Sequence, residues 1–491
     1  MNRRSVWAPS AASVAMVTEN QRIEMTRESG GWWHAELNPE LARADYAFSL
    51  NGGQPLPDPR SSYQPHGVHG FSRQVDHSSF QWRHAQWQPA PLSSAIIYEC
   101  HIGTFTQSGT FDAAIERLGH LRDLGVTHVE VMPVAEFPGA RGWGYDGVDL
   151  FATHHSYGGP DAMKRFVDAA HGHGLAVILD VVYNHLGPEG NYLAKFGSYF
   201  TGRYHTPWGD AVNLDDRDSD EVRRFFCDNA LMWLRDCHFD GLRLDAVHAI
   251  LDASAQPFLE QLKLEVETLE TELGRKFVLI AESDSNDPRL LWPRDRGGFN
   301  LDAQWSDDFH HALHSVLTSE TAGYYADFGR LSDLAKALRH AFVYDGQFSK
   351  FRGRRHGRST EGLGGDRFVV CLQNHDQIGN RALGERIHQI LASEGEGGNP
   401  RSSGLLKIGT ALLLTGPFTP LLFQGQEWAA STPFLYFTDH DKKLGQAIRY
   451  GRCREFTEFG WKPEEVPDAQ AIGTFQASKL DWSELSITSL L

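Results

Sequence analysis

The sequence is poor in cysteine, has no long apolar run and carries fewer basic than acidic residues, and each shortage excludes a class of protein. Only five of the 491 residues are cysteine. None has a CxxC neighbour, so neither a disulfide framework nor a thiolate metal site is expected. No apolar run approaches the roughly 20 residues of a membrane span. The N-terminus, MNRRSVWAPSAAS, lacks the apolar segment of a signal peptide. These absences favour a cytoplasmic protein.

The charge balance excludes a second group of functions. Lys plus Arg is 46 and Asp plus Glu is 63, so the net charge is −17. Such an acidic chain is a poor partner for nucleic acid or for an anionic membrane, and neither is expected. The glycine-rich phosphate turns GxGxxG and GxxxxGK[ST] do not follow any predicted strand. The charge balance therefore fits a soluble cytoplasmic enzyme, and the missing phosphate turns argue against a doubly wound open sheet.

Residues 1–91 predict a small antiparallel β-sandwich. Short alternating segments at 5–8, 13–18, 31–36 and 44–50 are separated by Gly, Pro and Asn turn signals. Trp32 and Trp33 suggest either a sugar platform or core aromatics, and the core interpretation is favoured.

Residues 92–440 predict a different architecture, in which strands alternate with amphipathic helices. One-sided apolar stripes predict helices at 111–124, 221–235 and 258–273. Eight βα units indicate a (β/α)8 TIM barrel, an α/β fold, rather than a doubly wound open sheet. Residues 441–491 are assigned to the last barrel helix and a C-terminal segment. The predicted strands are 95–99, 127–133, 175–182, 241–246, 277–282, 300–305, 368–373 and 420–425.

Two long segments interrupt the barrel. Residues 186–217 are rich in Gly, Tyr and Pro and predict a lid over the mouth. Residues 344–367 carry four arginines among glycines. They suggest either a polyanion-binding loop or a solvated mobile loop, and the second is favoured because the chain is acidic.

Carboxylates lie near the carboxyl ends of the predicted strands. Asp180 interrupts the apolar run VILDVVYNH (177–185), where an unpaired charge would be costly, so it needs a partner or a role. Asp245 and Glu282 end neighbouring strands, which places them about 5 to 5.5 Å apart, the separation of a retaining glycosidase. Arg243 shares a face with Asp245 and keeps it ionised. Glu282 has no such neighbour, so a raised pKa suited to a general acid is expected. Asp376 follows the seventh strand.

Histidines stand beside these acids at strand ends. His185, His248 and His375 suit the recognition of hydroxyl groups. A metal site is the competing interpretation, but the His and Asp spacings give no compact ligand set, and no metal or other cofactor is expected.

Four stretches resemble the signature regions of the α-amylase superfamily of glycoside hydrolases: DVVYNH (180–185), GLRLDAVH (241–248), AES (281–283) and QNHD (373–376). The resemblance implies Asp245 as the nucleophile, Glu282 as the acid/base and Asp376 as the stabiliser of the transition state. It also implies that a tyrosine in GWGYD, Tyr145, stacks on the reacting sugar. The other residues that it places around this sugar are Asp180, His185, Arg243 and His375.

Within the superfamily, the chain is similar to the maltooligosyltrehalose trehalohydrolase family from VWAP (6–9) to SKLDW (478–482). Telling pieces are DPRSSYQPHGVHG (58–70), LDAQWSDDFHHALH (301–314) and EWAASTPFLYFTDH (427–440). The resemblance implies hydrolysis of the α-1,4 bond beside the terminal trehalose of maltooligosyl trehalose, by a monomer or homodimer. The residues from which we expect the selectivity and the remaining substrate contacts are His248, Trp305, Asp307, Asp308, Phe309, Tyr324, Tyr325 and Phe437.

Other functions stay open at this point. One is a different retaining α-glucan enzyme, either branching or debranching, and another is a non-catalytic carbohydrate-binding protein. The complete set of Asp245, Glu282 and Asp376 argues against the latter. Members of this family normally continue past SKLDW into a small β domain, and this chain stops at residue 491, so an exposed barrel face is expected.

Overall fold

The computed structural model describes residues 3–393, 400–458, 462 and 465–485. The N-terminal segments form two antiparallel sheets of three strands, in the orders β1–β5–β4 and β3–β2–β6. Val6, Met16, Trp33 and Phe48 from these sheets are buried in one core. The predicted N-terminal β structure is therefore present, while the domain boundary at residue 91 stays a prediction. The strands are β1 (Arg3–Trp7), β2 (Val14–Thr18), β3 (Arg22–Glu24), β4 (Thr26–Arg27), β5 (Trp32–Glu36) and β6 (Tyr46–Leu50).

Eight parallel strands of the following region close into a barrel, in the order β11–β14–β15–β16–β19–β20–β7–β8. This confirms the predicted (β/α)8 fold and rejects the open sheet. All eight predicted strands are present, and most are shorter than predicted. The strands of this region are β7 (Ile97–Cys100), β8 (His128–Val131), β9 (Ala135–Glu136), β10 (Asp149–Thr153), β11 (Ala176–Val181), β12 (Phe200–Thr206), β13 (Gly209–Val212), β14 (Gly241–Leu244), β15 (Val278–Ala281), β16 (Ala303–Trp305), β17 (Asp345–Ser349), β18 (Arg354–Gly357), β19 (Phe368–Cys371) and β20 (Thr419–Phe423).

Helices alternate with the barrel strands and bury one face against them, as in other parallel barrels. The predicted helix 258–273 has the predicted bounds, and 221–235 begins two residues earlier. The helices are α1 (Ile102–Phe105), α2 (Phe111–Ile115), α3 (Leu118–Leu124), α4 (Gly159–Gly172), α5 (Leu193–Phe196), α6 (Ser219–Arg235), α7 (Phe258–Leu273), α8 (Asp307–Thr318), α9 (Leu331–His340), α10 (His375–Gly379), α11 (Ile387–Ser393), α12 (Pro400–Thr415), α13 (Lys442–Glu458) and α14 (Ile472–Ala477).

The helix predicted at 111–124 is two helices, α2 and α3. The backbone N–H groups of Glu116 and Arg117 bond to carbonyls three residues back, which tightens the chain and separates the two segments. Thr110 caps the first segment through the N–H of Ala113, and Gly125, with a φ of 92°, ends the second. Of the predicted apolar stripe, Ala114, Leu118 and Leu121 are buried, whereas Leu124 is 41% exposed, and the stripe did not reveal the break.

The N-terminal sheets pack against the barrel helices through specific polar contacts. Nε1 of Trp32 donates to Glu221 of α6 at 3.1 Å, and Arg60 pairs with Asp228 of the same helix at 2.8 Å. Trp33 is buried, and its Nε1 donates to the carbonyl of Ala8. Both tryptophans are therefore packing residues rather than a sugar platform.

The remaining segments complete the outline. None of the helices in the described part of the chain is long and apolar enough to cross a membrane. Within the predicted C-terminal segment, α13 and α14 are described, whereas residues 459–461, 463–464 and 486–491 lie outside the described residues. Trp482 packs edge-on against Phe105 of α1, so this segment contacts the start of the barrel.

Candidate active site

The acids predicted at the strand ends come together at one end of the barrel. Asp245 directly follows β14, and Glu282 directly follows β15, the neighbour of β14. Asp180 is the fifth residue of β11, on the other side of β14. Asp376 is the second residue of α10, just after β19. The carboxyl ends of parallel barrel strands share one face, which is where the active sites of such barrels lie.

The buried guanidinium of Arg243 connects three of these carboxyl groups. Its Nη1 lies 2.7 Å from Oδ1 of Asp245 and about as close, 3.0 and 2.9 Å, to the two oxygens of Asp180. Its Nη2 lies 3.7 Å from Oε2 of Glu282. Because arginine stays charged, it stabilises several carboxylates in a buried place where they would otherwise repel one another. Asp180 thus has the partner that its position in an apolar run required.

Asp245 is held from two sides. Besides the bond from Arg243 to Oδ1, Nδ2 of Asn184 donates to Oδ2 at 2.8 Å and to the Asp245 carbonyl at 2.7 Å. Each carboxylate oxygen therefore accepts one hydrogen bond, and the group is oriented before substrate binds. A charged carboxylate fixed in this way meets the requirements of a nucleophile.

Glu282 has a different environment. Burial raises the pKa of Glu282, and Asp245 and Asp376 raise it further, whereas Arg243 and His248 oppose the rise. The backbone N–H of Ala246 donates to Oε2 at 2.6 Å. Ala246 has a φ of 39°, a strained conformation for a residue with a Cβ, and this directs its N–H toward Glu282. A carboxyl with a raised pKa beside an ionised one is the arrangement of an acid and a nucleophile.

Tyr145 is placed by a tight glycine turn. Gly144 has a φ of 99°, and a Cβ there would lie 2.1 Å from the Pro133 carbonyl oxygen, so only glycine fits. The Tyr145 hydroxyl donates to Oδ2 of Asp180 at 2.5 Å and lies 2.8 Å from Nε2 of His375. Its ring stacks on that imidazole, with centroids 5.2 Å apart.

His375 lies between Tyr145 and two acids, Glu99 of β7 and Asp376 of α10. Its Nδ1 is 2.5 Å from Oε1 of Glu99, and its Nε2 is 3.5 Å from Oδ2 of Asp376. Burial alone would lower the pKa of His375, but Asp376 and Glu99 raise it to about 9. Asp376 itself is partly exposed at the mouth. Glu99 belongs to β7 and was not among the predicted site residues.

The predicted lid, 186–217, carries a second residue that the sequence did not point to. Strands β12 and β13 form a hairpin in this segment, and Trp208 lies in its turn. The indole stacks on His185 with centroids 4.3 Å apart, yet 49% of its surface is exposed. An aromatic ring that is supported on one face and open on the other is a platform for a sugar.

The segment 344–367 is largely exposed, as the favoured interpretation of a solvated loop requires, but it also contains a hairpin that the sequence did not predict. Strands β17 and β18 form a hairpin, and Arg352 in its turn pairs with Asp284 at 3.1 Å. Asp284 lies two residues after Glu282. Burial acts to raise the pKa of Asp284, but His248 and Arg352 outweigh this effect and lower it. Phe351 beside Arg352 is 49% exposed. The turn of this hairpin is thus connected to the barrel mouth by the ion pair between Arg352 and Asp284.

Asp307 and Asp308, both predicted to bind substrate, occupy different places. Burial raises the pKa of Asp307 well above its usual range, and the nearby Glu282 and Asp376 add to this, so Asp307 belongs to the acidic mouth. Asp308 is buried and accepts bonds from Nδ2 of Asn286 and from the N–H groups of residues 343 and 344, at 2.6 to 2.8 Å. The prediction that Asp308 contacts the substrate is therefore corrected. Asp308 instead anchors the loop before β17.

Three aromatic predictions also need correction, since the rings are buried. Trp305 lies beneath the Arg243 guanidinium, 4.5 Å from its ring centroid, and forms the floor of the mouth rather than a wall. Phe309 is fully buried against Phe418. Tyr325 stacks on His314, and its hydroxyl lies 3.1 Å from Nε2 of His310. The side chains of Trp305, Phe309 and Tyr325 all face the protein interior. Phe437 is also fully buried, whereas Tyr324 is partly buried.

In the part of the chain that the structure describes, one group of side chains has the composition of a metal site: Glu136, His154 and His155. The N–H of Ser156 donates to Nδ1 of His154, so the proton of that imidazole is on Nε2, which faces the group. Glu136 already pairs with Nδ1 of His155 at 2.6 Å. The arrangement is better explained as a buried ion pair than as a ligand set.

Comparison with known proteins agrees with this geometry. The model of the alpha-amylase catalytic domain matches residues 100–210. The malto-oligosyltrehalose trehalohydrolase of Rhizobium sp. (strain M-11) is 51% identical over 99% of this chain and 81% of its own length. The chain belongs to the malto-oligosyltrehalose trehalohydrolase family. The member from Saccharolobus solfataricus is 45% identical over 97% of this chain and 81% of its own length.

Solved structures place the family in a wider group. A crystal structure described as a putative alpha amylase from Salmonella typhimurium has a TM-score of 0.89 and 42% identity, covering 98% of this chain and 80% of that one. A pullulanase from Anoxybacillus sp. LM18-11, complexed with maltotetraose, has a TM-score of 0.67 and 21% identity over 88% of this chain and 67% of its own. The pullulanase shares the fold with the trehalohydrolase family, and at this identity the likeness says nothing more.

Proposed function

We propose that this chain hydrolyses the α-1,4-glucosidic bond beside the terminal trehalose of maltooligosyl trehalose, with retention of configuration. The products are trehalose and a maltooligosaccharide. Relatives named malto-oligosyltrehalose trehalohydrolase are 45 to 51% identical over almost the whole chain. A 1,4-alpha-glucan branching enzyme from Corynebacterium jeikeium is only 30% identical over 98% of the chain and 66% of its own length. These identities favour trehalose release over branching or debranching.

The observation that carries the chemistry is the contact of one guanidinium, that of Arg243, with both Asp245 and Glu282. The ionised Asp245 attacks the anomeric carbon while the bond from that carbon to O4 of the leaving trehalose breaks. Glu282, protonated because its pKa is raised, gives its proton to that oxygen. Water then attacks the glycosyl–Asp245 ester, Glu282 takes a proton from the water, and the Asp245 carboxylate is released.

The remaining polar groups at the mouth hold the sugar that reacts. Nη2 of Arg243 has no hydrogen-bond partner among the described residues, which leaves a charged donor for a substrate hydroxyl. Tyr145 offers its ring face to the sugar. The stacked rings of His185 and Trp208 line another side of the site, with the imidazole as its polar part and the indole as its apolar part. Asp376, partly exposed beside His375, is placed to stabilise positive charge at the anomeric carbon.

The leaving trehalose is proposed to bind beyond Glu282. Asp284 and Arg352 form an ion pair there beside His248, and Phe351 supplies an exposed ring. Sugar hydroxyls pair with carboxylate and guanidinium groups, while aromatic rings cover sugar faces. This pairing of a ring with charged groups suits a disaccharide of fixed shape.

We also propose a cytoplasmic location and a monomer or homodimer that binds neither nucleic acid nor membrane. Four of the five cysteines, Cys100, Cys227, Cys237 and Cys371, are buried free thiols, which suits a reducing compartment. The net charge of −17 disfavours nucleic acid and anionic lipid.

The test is product analysis with maltotriosyl trehalose beside maltopentaose. We expect free trehalose from the first, with the new reducing end in the α configuration when it is followed by NMR from the start of the reaction. Asp245→Asn serves as the matched inactive variant, with turnover lower by at least about 10⁴-fold, or roughly 5 kcal/mol of barrier. New α-1,6 linkages would indicate a branching enzyme instead, and a β-configured product would reject retention.

A further inference from the structure

Glu99 on the first barrel strand makes two bonds to a single residue of the seventh-strand loop. Its Oε2 accepts the backbone N–H of His375 at 3.0 Å, and its Oε1 lies 2.5 Å from Nδ1 of the same residue. Both residues are buried. Glu99 therefore fixes the position and the orientation of the His375 ring, although it lies too deep in the barrel to contact substrate.

The hydrogen bonds around the ring indicate which atoms carry protons. Tyr145 has one hydroxyl proton, and it donates that proton to Asp180. The Tyr145 oxygen is consequently the acceptor of the bond from Nε2 of His375, so Nε2 carries a proton. Nδ1 faces the carboxylate of Glu99 and carries the second proton. The imidazole is thereby an imidazolium, paired with Glu99 on one side and directed at Asp376 on the other.

A second buried carboxyl lies beside Glu99 and provides a comparison. Glu130 is its register partner on β8. Among the described residues, neither carboxyl oxygen of Glu130 has a hydrogen-bond partner. Burial raises the pKa of Glu130 well above its usual range, and the charge of Glu99 adds to the rise. Burial therefore favours the neutral form of Glu130, whereas both carboxyl oxygens of Glu99 are bonded to His375.

We propose that Glu99 is a positioning residue, which holds His375 in its doubly protonated form between Tyr145 and Asp376. This inference rests on the proposed glycosidase function. A charged His375 keeps the neighbouring Asp376 ionised while the sugar carbon becomes positive in the transition state. Burial and the charge of Arg243 disfavour a cation at this place, so the proton depends on the carboxylates around it. The titratable and charged groups that surround His375 are Glu99, His101, Glu130, Tyr145, Asp180, Arg243 and Asp376.

The experiment measures kcat/KM against pH with α-maltotriosyl fluoride, whose fluoride leaves without needing the Glu282 proton. The alkaline limb then reports groups other than the general acid. In the unmodified enzyme we expect this limb near pH 9, where His375 loses its proton. In Glu99→Gln we expect it to fall by about 1 to 3 pH units, because the carboxylate partner is gone. Glu99→Asp, which retains a carboxylate, should lie between the two.

Glu130→Gln is the matched control, since it makes the same change on the adjacent strand at a carboxyl whose neutral form is favoured by burial. Its alkaline limb should coincide with that of the unmodified enzyme. Thermal melting verifies that each variant is folded. If the alkaline limb of Glu99→Gln does not shift, or if kcat/KM falls by the same factor at every pH, Glu99 has only a structural role. An equal shift in Glu130→Gln would also overturn the proposal.

A second readout does not depend on turnover. The proton between Nδ1 of His375 and Glu99 should give a far-downfield proton NMR signal, which disappears in Glu99→Gln and persists in Glu130→Gln. If the unmodified enzyme cleaves neither the fluoride nor maltotriosyl trehalose, the proposed function fails, and the NMR signal still decides the Glu99 inference. Presence of the signal in Glu99→Gln would contradict it.

Discussion

The indole of Trp208 lies flat on the imidazole of His185, with ring centroids 4.3 Å apart and planes within 7°. One ring belongs to the loop after the third barrel strand, and the other to the turn of the β12–β13 hairpin. Since His185 follows Asn184, which holds the Asp245 carboxylate, the hairpin is connected to the nucleophile through two neighbouring residues. The stack therefore fixes an exposed aromatic face next to the reacting group.

Trp208→Ala should weaken substrate binding without removing the chemistry. The stack contributes a sugar-facing surface, and an aromatic pair is worth about 0.5 to 1.5 kcal/mol. We expect kcat/KM for maltotriosyl trehalose to fall by about 2- to 12-fold, mostly through KM. Trp208→Phe should restore most of the loss. A fall in kcat alone would indicate that Trp208 acts on the position of Asp245 instead.

The barrel and the position of the acids at its mouth were predictable because their signals are local. A strand buried on both faces gives a continuous apolar run, as in residues 176–181, and Asp180 interrupts that run visibly. Asp245 and Glu282 end such runs, and consecutive parallel strands place their ends on one face. Arg243 was assigned to Asp245 by the two-residue repeat of a strand, and the 2.7 Å bond between them has that geometry.

The groups contributed by loops and by the barrel interior were not predictable in the same way. Trp208 and Phe351 lie in hairpin turns, and their positions depend on how the long segments 186–217 and 344–367 fold back over the mouth. Nothing in their immediate sequence distinguishes them from surface aromatics. Phe309 was wrongly predicted because its distance from the strand end matched the mouth, while the helical turn of α8 directs it into the core. Glu99 had a weak signal in the sequence, since it is an acid at the end of the apolar segment IIYE (96–99).

Glu282→Gln should discriminate between leaving groups. The raised pKa of Glu282 keeps its proton at the pH of the reaction, and a glucosidic oxygen needs that proton to leave. We expect a loss of about 10² to 10⁴-fold on maltotriosyl trehalose and a much smaller loss on α-maltotriosyl fluoride. As the acid must be protonated, activity on the natural substrate should fall when the pH rises through the raised pKa, and that limb should vanish in the variant. Equal losses on both substrates would contradict the assignment.

Glu320 should contribute acid-sensitive stability at the end of α8. Burial acts to raise the pKa of Glu320, but hydrogen bonds from His314 and Arg381 outweigh this effect and lower the pKa from 4.5 to about 2. A carboxyl whose folded pKa is depressed stabilises the fold above its unfolded pKa, and the stabilisation is lost as the pH falls from 4.5 through 2. About a third of the side chain is exposed, so we discount the effect to roughly 1 to 2 kcal/mol.

Urea unfolding of Glu320→Gln at pH 7 and at about pH 2, the lowered pKa of Glu320, provides the measurement. The variant should be less stable than the unmodified protein at pH 7 and nearly equal to it at the lower pH. Glu24→Gln, which breaks an exposed pair with Arg22, is the control and should change stability by less than about 0.5 kcal/mol. A pH-independent loss in Glu320→Gln would indicate a packing effect rather than the ion pair.

Selectivity for a trehalose end should depend on the β17–β18 hairpin. Trehalose has a 1,1 linkage, so its second ring is presented at an angle that maltose cannot copy. The mouth beyond Glu282 offers charged groups at Asp284 and Arg352 and one exposed ring at Phe351. We expect maltopentaose to be cleaved at least about 100-fold less efficiently than maltotriosyl trehalose, which corresponds to about 2.7 kcal/mol of differential transition-state binding.

Phe351→Ala should narrow that ratio while cleavage continues, because the ring that we propose to cover the second glucose is removed but Asp245 and Glu282 keep their contacts with Arg243. A lost aromatic contact of about 0.5 to 1.5 kcal/mol corresponds to a ratio smaller by about 2- to 12-fold. Phe348→Ala is the matched control: Phe348 is an equally large exposed ring on the same hairpin, but it pairs across the hairpin with Arg355 and not with the arginine that contacts Asp284. Its ratio should match that of the unmodified enzyme.

The measurement is kcat/KM for both substrates in the three proteins, with trehalose and glucose quantified separately. Equal narrowing in both variants would assign the effect to the hairpin fold, and an unchanged ratio in Phe351→Ala would move the trehalose site elsewhere in the mouth.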